Sequence, residues 1–425
     1  MKFYSDLYHI PYVVQPLPVS SFAVALESDS ALLSWKATDD PAEPTAISKG
    51  FLLYTRIDDG AFGEGVRIDA KLENGVYSVS VPLESGHLYS FKLEAWNEGG
   101  RSFPSEVLCA GISADSKGKV TVVNNFDRLS PPAWFDSGRY AGFDGRLDMG
   151  VPYVSDISYI GENYEFDRSL DWIDDDNPGF GASWSDFAGR KLAGNTFDFV
   201  SVHGRTIMAA GYSFDSASRD AFCSGPLPGD GSVAVDLLCG KQVTSTVGRG
   251  AVEDRYCVFP AALQETLRSY TSRGGNLLVS GAYIGTDVWS NIYPVSTDVA
   301  EKEAAQSFVE DVLGYRWLTN HGSYTHEAVP LENPMVDLDG CSLIISSEAG
   351  GPVYCVENPD GIVPAGDDAA TVLRYTGNYV SAAVFADKGD YRVASFGFPL
   401  ETVTDPGMMN LIFFRSLEFL NARKQ

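Results

Sequence analysis

Residues 276–287 read Asn276-Leu277-Leu278-Val279-Ser280-Gly281-Ala282-Tyr283-Ile284-Gly285-Thr286-Asp287, an apolar run that stops abruptly at a glycine-bounded turn. A run this short and apolar, closed by turn residues, is expected to be a strand buried on both faces. Just upstream, Pro260 to Arg273 puts Leu263, Leu267 and Tyr270 on one helical face. Pro260 suits the first turn of that helix and Gly274 its C-terminal stop. A second helix is expected from Val299 to Leu313, where Asp298 and Glu301 have the spacing of a capping box.

The same alternation continues outward in both directions. Lys119 to Asn124 carries the β-branched run Val120-Thr121-Val122-Val123 and leads into the loop Asn125-Phe126-Asp127-Arg128. At the other end, Arg392 to Phe396 reads as a strand, followed by Gly397-Phe398-Pro399-Leu400-Glu401 as its loop. Asp405 and Pro406 then open a helix with Met409, Phe413, Leu417 and Leu420 on one face. Strands and helices in alternation imply a mostly parallel sheet with helices on both sides.

Before residue 112 the rhythm differs. From Val19 to Ile112 short runs alternate apolar and polar positions between the turn signals Ser28-Asp29, Asp58-Asp59-Gly60, Glu73-Asn74-Gly75 and Gly99-Gly100. That is a β-sandwich pattern, in which Ala31, Leu33 and Trp35 form the inward face of one strand. The expected organisation is a linker over 1–18, the sandwich over 19–115 and the α/β domain over 116–425.

Within Leu83 to Ser102, the leucine before the loop, Tyr89, the alternating Phe91, Leu93 and Ala95, and then Asn97, Gly100, Ser102 and Ser105 resemble a fibronectin type III module. The resemblance implies that Tyr89 is a tyrosine corner, its ring inward and its hydroxyl bonded to backbone. In the second domain, the helix, the strand, the Gly-x-x-x-Gly turn and a final loop with an acidic residue resemble the class I glutamine amidotransferase-like, flavodoxin-like fold. Catalytic members place a nucleophilic cysteine in the middle of that turn and a histidine and a glutamate in the final loop. Tyr283 stands at the nucleophile position, and Phe398, Pro399 and Glu401 occupy the loop. Two of the three triad roles are vacant, so a cysteine-type mechanism is excluded.

A narrower resemblance is to Bacteroidetes proteins that join these two domains and carry a xanthan lyase label. Longer relatives have an N-acetylmuramoyl-L-alanine amidase domain upstream. The stretches that resemble that group include Val123 to Arg128, Asp156 to Gly161, Asp174 to Ala182, Ala193 to Asp198, Ala210 to Phe214 and Gly274 to Asp287. The resemblance implies a secreted, periplasmic or cell-surface protein whose partners are glycans or peptidoglycan fragments and the upstream domains of the same protein. The expected role is a noncatalytic glycan-binding or accessory region. The alternatives are a polysaccharide lyase or hydrolase centred on Tyr283, and a purely structural interdomain module.

Composition narrows the partners. Of the 425 residues, 31 are Lys or Arg and 57 are Asp or Glu, for a formal net charge of -26. A phosphate backbone would be repelled, and no basic stripe exists to grip one, so nucleic acid is excluded as a partner. The same charge opposes an acidic polysaccharide except at a local basic group or bound cation. No window approaches the length of a membrane span. Met1 to Pro18 has no basic segment followed by an apolar run, and it reads as a linker entered from upstream. The six cysteines are scattered without a C-x-x-C pair, so they are expected to be buried hydrophobes rather than metal ligands.

The candidate site lies where open α/β sheets bind ligands, at the carboxyl ends of strands. Its ligand-binding candidates are Asn125, Asp127, Arg128, Tyr283, Thr286 and Asp287, and its catalytic candidates are Tyr283, His203 and Glu401. Tyr283 is expected to stack on or hydrogen-bond a ligand, or to plug the vacant nucleophile position. His203 follows the apolar run Phe199-Val200-Ser201-Val202, which places it at a strand end. Asp174, Asp175 and Asp176 offer clustered oxygens for calcium but lack the spacing of an EF-hand, so a solvated acidic loop is expected and no cofactor is required. His321 and His326 fit no zinc motif.

Overall fold

The computed structural model describes residues 13–41, 43–102, 104–125, 133–136, 140–144, 166–167, 198–225, 231–244, 257–289, 299–347, 353, 356 and 358–422. Asp127, Arg128, Asp174, Asp175, Asp176, Asp298 and Cys355 lie outside the described residues.

Alternation in the first hundred residues produces two antiparallel layers. One joins β1 (Ser20–Glu27), β2 (Ser30–Lys36) and β4 (Val76–Pro82); the other joins β3 (Gly50–Ile57), β5 (Leu88–Asn97) and β6 (Leu108–Gly111). Ala31, Leu33 and Trp35 are fully buried between the layers, with Trp35 edge-on to Phe51 at 5.2 Å. The Tyr89 hydroxyl accepts the Glu84 amide N–H at 3.1 Å, which is the tyrosine corner that the sequence leads one to expect. The polar positions around Asn97 also have tasks. Asn97 Nδ2 donates to the carbonyls of Val14, Thr45 and Ile47, and Ser102 Oγ and Ser105 Oγ accept the amides of Ala95 and Leu93. Residues just before β1 are therefore held against the sandwich through Val14.

In the second part, β7 (Lys119–Asn124) runs parallel to β8 (Ser213–Ser218) on one side and to β9 (Ala234–Gly240) on the other. Next to β9 lies β10 (Leu277–Gly281) and then β13 (Arg392–Phe396), both parallel. The sheet continues antiparallel through β12 (Ser381–Asp387) to β11 (Ala369–Tyr375). Two antiparallel steps bring β11 back to the direction of β10, so their carboxyl ends share one rim.

Helices cover both faces. On one lie α1 (Phe199–Ala209) and α5 (Pro406–Asn421), burying Ile207, Met409, Phe413 and Leu417. On the other lie α2 (Arg219–Ser224), α3 (Ala261–Thr271) and α4 (Val299–Phe308), with Phe222, Leu263, Leu267 and Phe308 packed on Val235, Leu237 and Val279. Asp405 caps α5 by accepting the amides of Gly407 and Met408. Pro260 is the residue that caps α3 from outside, one position before the expected first turn. The expected helix to Leu313 ends instead at Phe308 and continues over Val309–Leu313 as a wider π turn. The strand expected over Phe199 to Val202 is the start of α1: an apolar run buried on nearly every side has no periodicity to separate strand from helix.

The two parts are joined edge to edge. β1 pairs antiparallel with β8 through Ala23 and Val24, and β6 adds Gly111 opposite Phe214. Ser216 Oγ accepts the Cys109 amide at 2.8 Å and donates to the Cys109 carbonyl at 2.6 Å, so one hydroxyl satisfies both backbone groups of a buried residue. Asp215 accepts from Leu26 N, Lys119 Nζ and Thr121 Oγ1, linking strands of both parts. Removing the Ser216 hydroxyl strands a buried N–H and a buried C=O, a loss of about 2 kcal/mol. Ser216→Ala is expected to lower the unfolding free energy by that amount, read as a fall in denaturant midpoint at unchanged slope; an unchanged midpoint would show that this hydroxyl contributes nothing to stability.

Candidate functional site

The turn after β10 is built by close approach. A Cβ on Gly281 would stand 2.7 Å from Cys239 Cβ, and one on Gly285 would stand 2.8 Å from the Trp317 ring. Only glycine fits either position without displacing a neighbour. Between them Tyr283 is half-buried, packing one side against the core beneath α1 and α5.

Two carboxylates hold the turn from behind. Asp360 accepts Gly285 N at 2.6 Å, Thr286 N at 2.8 Å and Thr286 Oγ1 at 2.5 Å, while Trp317 Nε1 donates to the same Thr286 hydroxyl at 3.0 Å. Asp287 accepts Thr244 N at 2.7 Å, Thr244 Oγ1 at 3.0 Å and Val258 N at 2.9 Å. Burial raises both carboxyls, that of Asp360 to about 7, and the hydrogen bonds only partly offset it. Thr286 and Asp287, candidates for ligand contact, are therefore committed to the chain itself. Asn125 is fully buried, its Nδ2 donating to the Val258 carbonyl at 2.7 Å and facing Cys239 Sγ at 3.5 Å.

His203 and Glu401 come together, but away from solvent. His203 Nδ1 lies 2.7 Å from Asp236 Oδ2 and Nε2 lies 3.3 Å from Glu401 Oε2, with the three side chains at 0%, 1% and 0% exposure. Phe413 of α5 closes over the imidazole edge-on at 4.9 Å. Burial alone would lower the histidine, and the two carboxylates outweigh it, raising it to about 9. The trio is a buried imidazole held between two carboxyls and sealed beneath α5.

Asp236 and Asp360 were not singled out from sequence. Asp236 had a signal, as the lone acid within Ala234-Val235-Asp236-Leu237-Leu238; Asp360, in Pro359-Asp360-Gly361, had none. Among the described residues no cluster of three or more His, Cys, Asp or Glu could hold a metal ion. Cys109, Cys239 and Cys341 are buried and unbridged, with burial pushing the Cys239 thiol up to about 12, as expected of small apolar fillers. No helix among the described residues is long and apolar enough to cross a membrane.

No family model matches the chain, and no curated protein matches it. Among solved structures, the third fibronectin III domain of a human protein is 13% identical and matches over 25% of this chain and 88% of its own, with a TM-score of 0.20. The fourth such domain of another human structure is 17% identical over 24% of this chain and 81% of its own, at 0.19. A structure described as a myokine is 20% identical over 23% of this chain and 99% of its own, also at 0.19. A fibronectin III module at the start of this chain is carried by the two-layer sandwich and the Tyr89 corner.

The buried trio fixes a sign for the pH dependence. A histidine raised from 6.5 to about 9 contributes stability fully below 6.5 and loses it as pH rises through about 9. The melting-temperature gap between the wild type and His203→Gln should be widest near pH 6, shrink as pH rises from 6.5 towards about 9, and level off above it. A gap that does not change with pH would show His203 to be neutral in the fold.

Proposed function

We propose that the chain is a noncatalytic accessory region of a larger, secreted cell-envelope protein, and that it contacts glycan through the rim around Tyr283. The α/β part is read as an amidotransferase-like domain that has given up its chemistry. One observation carries the noncatalytic reading: the polar side chains that could serve catalysis at the turn are spent on holding it. Asp287 is bonded to Thr244 and Val258, Thr286 to Asp360, and the His203–Asp236–Glu401 trio is sealed from solvent. A base needs a reachable proton, and a nucleophile needs a base beside it. Tyr283 is only half-buried, in a turn at the rim held by the Asp360 and Asp287 hydrogen bonds, which suits stacking or hydrogen bonding to a sugar.

Glycan as the ligand class rests on the resemblance of the Gly274 to Asp287 stretch and its companions to envelope polysaccharide proteins. The fibronectin-like module is then the support that carries the rim rather than a second binding unit.

The test is to titrate the purified chain with uronic polysaccharides, xanthan and peptidoglycan fragments while following unsaturated uronate absorbance and released ends. Saturable binding without product, weakened about fivefold or more by Tyr283→Ala and retained by Tyr283→Phe, is expected. Product formation that Tyr283→Phe abolishes would replace this reading with a lyase whose base is the tyrosine.

A further inference from the structure

The rim that carries Tyr283 extends across the sheet to β11, and it ends in two loops with exposed tyrosines. From β10 through β13 and β12 to β11 is three strand spacings, about 14 Å. Beyond the end of β11, the connection to β12 carries Tyr379, which is 68% exposed, and the neighbouring loop after Tyr315–Thr319 carries Tyr324, which is 76% exposed. Both rings stand mostly in water, on loops that are bonded to each other.

The loops are fixed rather than loose. Asn378 Nδ2 donates to the Gly322 carbonyl at 2.9 Å, and Thr325 Oγ1 reaches Thr376 Oγ1 at 2.7 Å and the Thr376 carbonyl at 3.1 Å. The Asp360 residue that holds the Tyr283 turn through its carboxylate also accepts the Tyr375 hydroxyl on its backbone carbonyl at 3.0 Å. One residue thus ties the turn to the end of β11. Tyr379 sits at a φ of +60°, a conformation that costs a side chain with a Cβ about 1 kcal/mol or more. The Arg374 guanidinium lies over one face of its ring, 4.8 Å from the centroid, which fixes the ring and leaves the opposite face outward. Among the described residues Arg374 forms no ion pair, and Glu327, on the strand beside β11, accepts Thr376 Oγ1 and Ser342 Oγ.

We infer that Tyr324 and Tyr379 form a stacking platform for the pyranose rings of a saccharide chain, extending the Tyr283 rim so that it takes an elongated ligand. This rests on the glycan reading of that rim. The features agree on such an occupant. The Tyr379 ring, backed on one side by Arg374, offers a face to the C–H surface of a sugar, the exposed Tyr324 ring stands on the loop bonded to it, the threonine hydroxyls between them suit sugar hydroxyls, and three strand spacings along one rim fit a polymer better than a compact molecule. Arg374 supplies a cation beside the Tyr379 ring, so sugars bearing a carboxylate should bind there more tightly than neutral ones despite the overall negative charge.

The experiment uses the whole chain and fluorescently labelled oligosaccharides of increasing length, from a neutral glucan, a uronic polymer and peptidoglycan. Tyr324→Ala and Tyr379→Ala should each weaken binding of the longer oligosaccharides about fivefold, with little effect on the shortest, whereas Tyr283→Ala weakens all lengths. Tyr379→Gly is the separating variant: it relieves the positive φ, so it should leave the melting temperature unchanged or higher while still losing the long-chain affinity. Arg374→Gln should erase any preference for uronic over neutral chains. Full affinity for long oligosaccharides in Tyr379→Gly and Tyr324→Ala, with the Tyr283 effect intact, would overturn the platform and leave the rim. No binding of any oligosaccharide by the wild type would overturn the glycan reading and the platform with it.

Discussion

A carboxylate taken out of water must be repaid in hydrogen bonds, and the rim of the second domain is organised by two that are. Asp360 and Asp287 between them collect four backbone amides and two threonine hydroxyls, all from the segments that meet at the Gly281–Gly285 turn. Truncating either would leave several buried donors unpaired at once, a larger loss than one hydrogen bond represents. The turn is therefore held by buried carboxylates whose acceptor positions are taken up by the chain itself. None of these bonds involves the Tyr283 side chain, so the scaffold they build does not depend on which side chain stands there. It also means that the polar residues nearest the apex are poor candidates for chemistry, because a group that already accepts three donors has little left to offer a substrate.

The junction of the two parts follows a similar logic. An edge strand exposes unpaired backbone, and β1 of the sandwich and β8 of the parallel sheet cover one another's edges. The contacts around them are largely polar and specific: Ser216 with both backbone groups of Cys109, Asp215 with Leu26, Glu106 with Asn124 at 2.5 Å. Burial raises Glu106 to about 8, so near neutral pH the Asn124 amide meets a carboxyl that is largely protonated and able to pair without a full charge in the interior. A module joined this way transmits position. The sandwich sets where the carboxyl end of β7 begins, since Glu106 precedes β6 and Asn124 ends β7.

Much of the fold was legible because its strongest signals are local. The tyrosine corner, the buried Trp35 face, the Asp405 cap and the α5 apolar stripe depend on spacing within a few residues, and each has the structural role its pattern implies. Phe199 to Val202 misled because a segment apolar on every side has no period. The site was legible only in outline. His203 and Glu401 could be named as chemically capable, but their pairing spans 198 positions and depends on Asp236, whose only mark was being an acid in an apolar run. Asp360 could not be found at all, since its role is defined by amides 74 and 75 residues away. The edge pairing of the two domains was likewise invisible, because nothing in β1 or β8 specifies a partner outside its own domain.

The charge distribution bears on what such a rim can hold. With a formal charge of -26, long-range attraction cannot gather an acidic polymer, and screening at physiological salt confines any favourable field to within about 8 Å of its source. On the proposed reading, recognition must then come from contact: aromatic faces, hydroxyls and a guanidinium such as Arg374. Contact recognition of this kind gives slow, weak association at any single sugar and becomes effective by repetition along a chain. A rigid rim with aromatic groups at both ends meets that requirement, because the cost of ordering the protein groups has been met in folding and each added sugar need only repay its own immobilisation. The same acidity disfavours nonspecific capture of polyanions, so on the proposed reading any preference for a charged sugar must come from a local contact such as Arg374 rather than from the overall field.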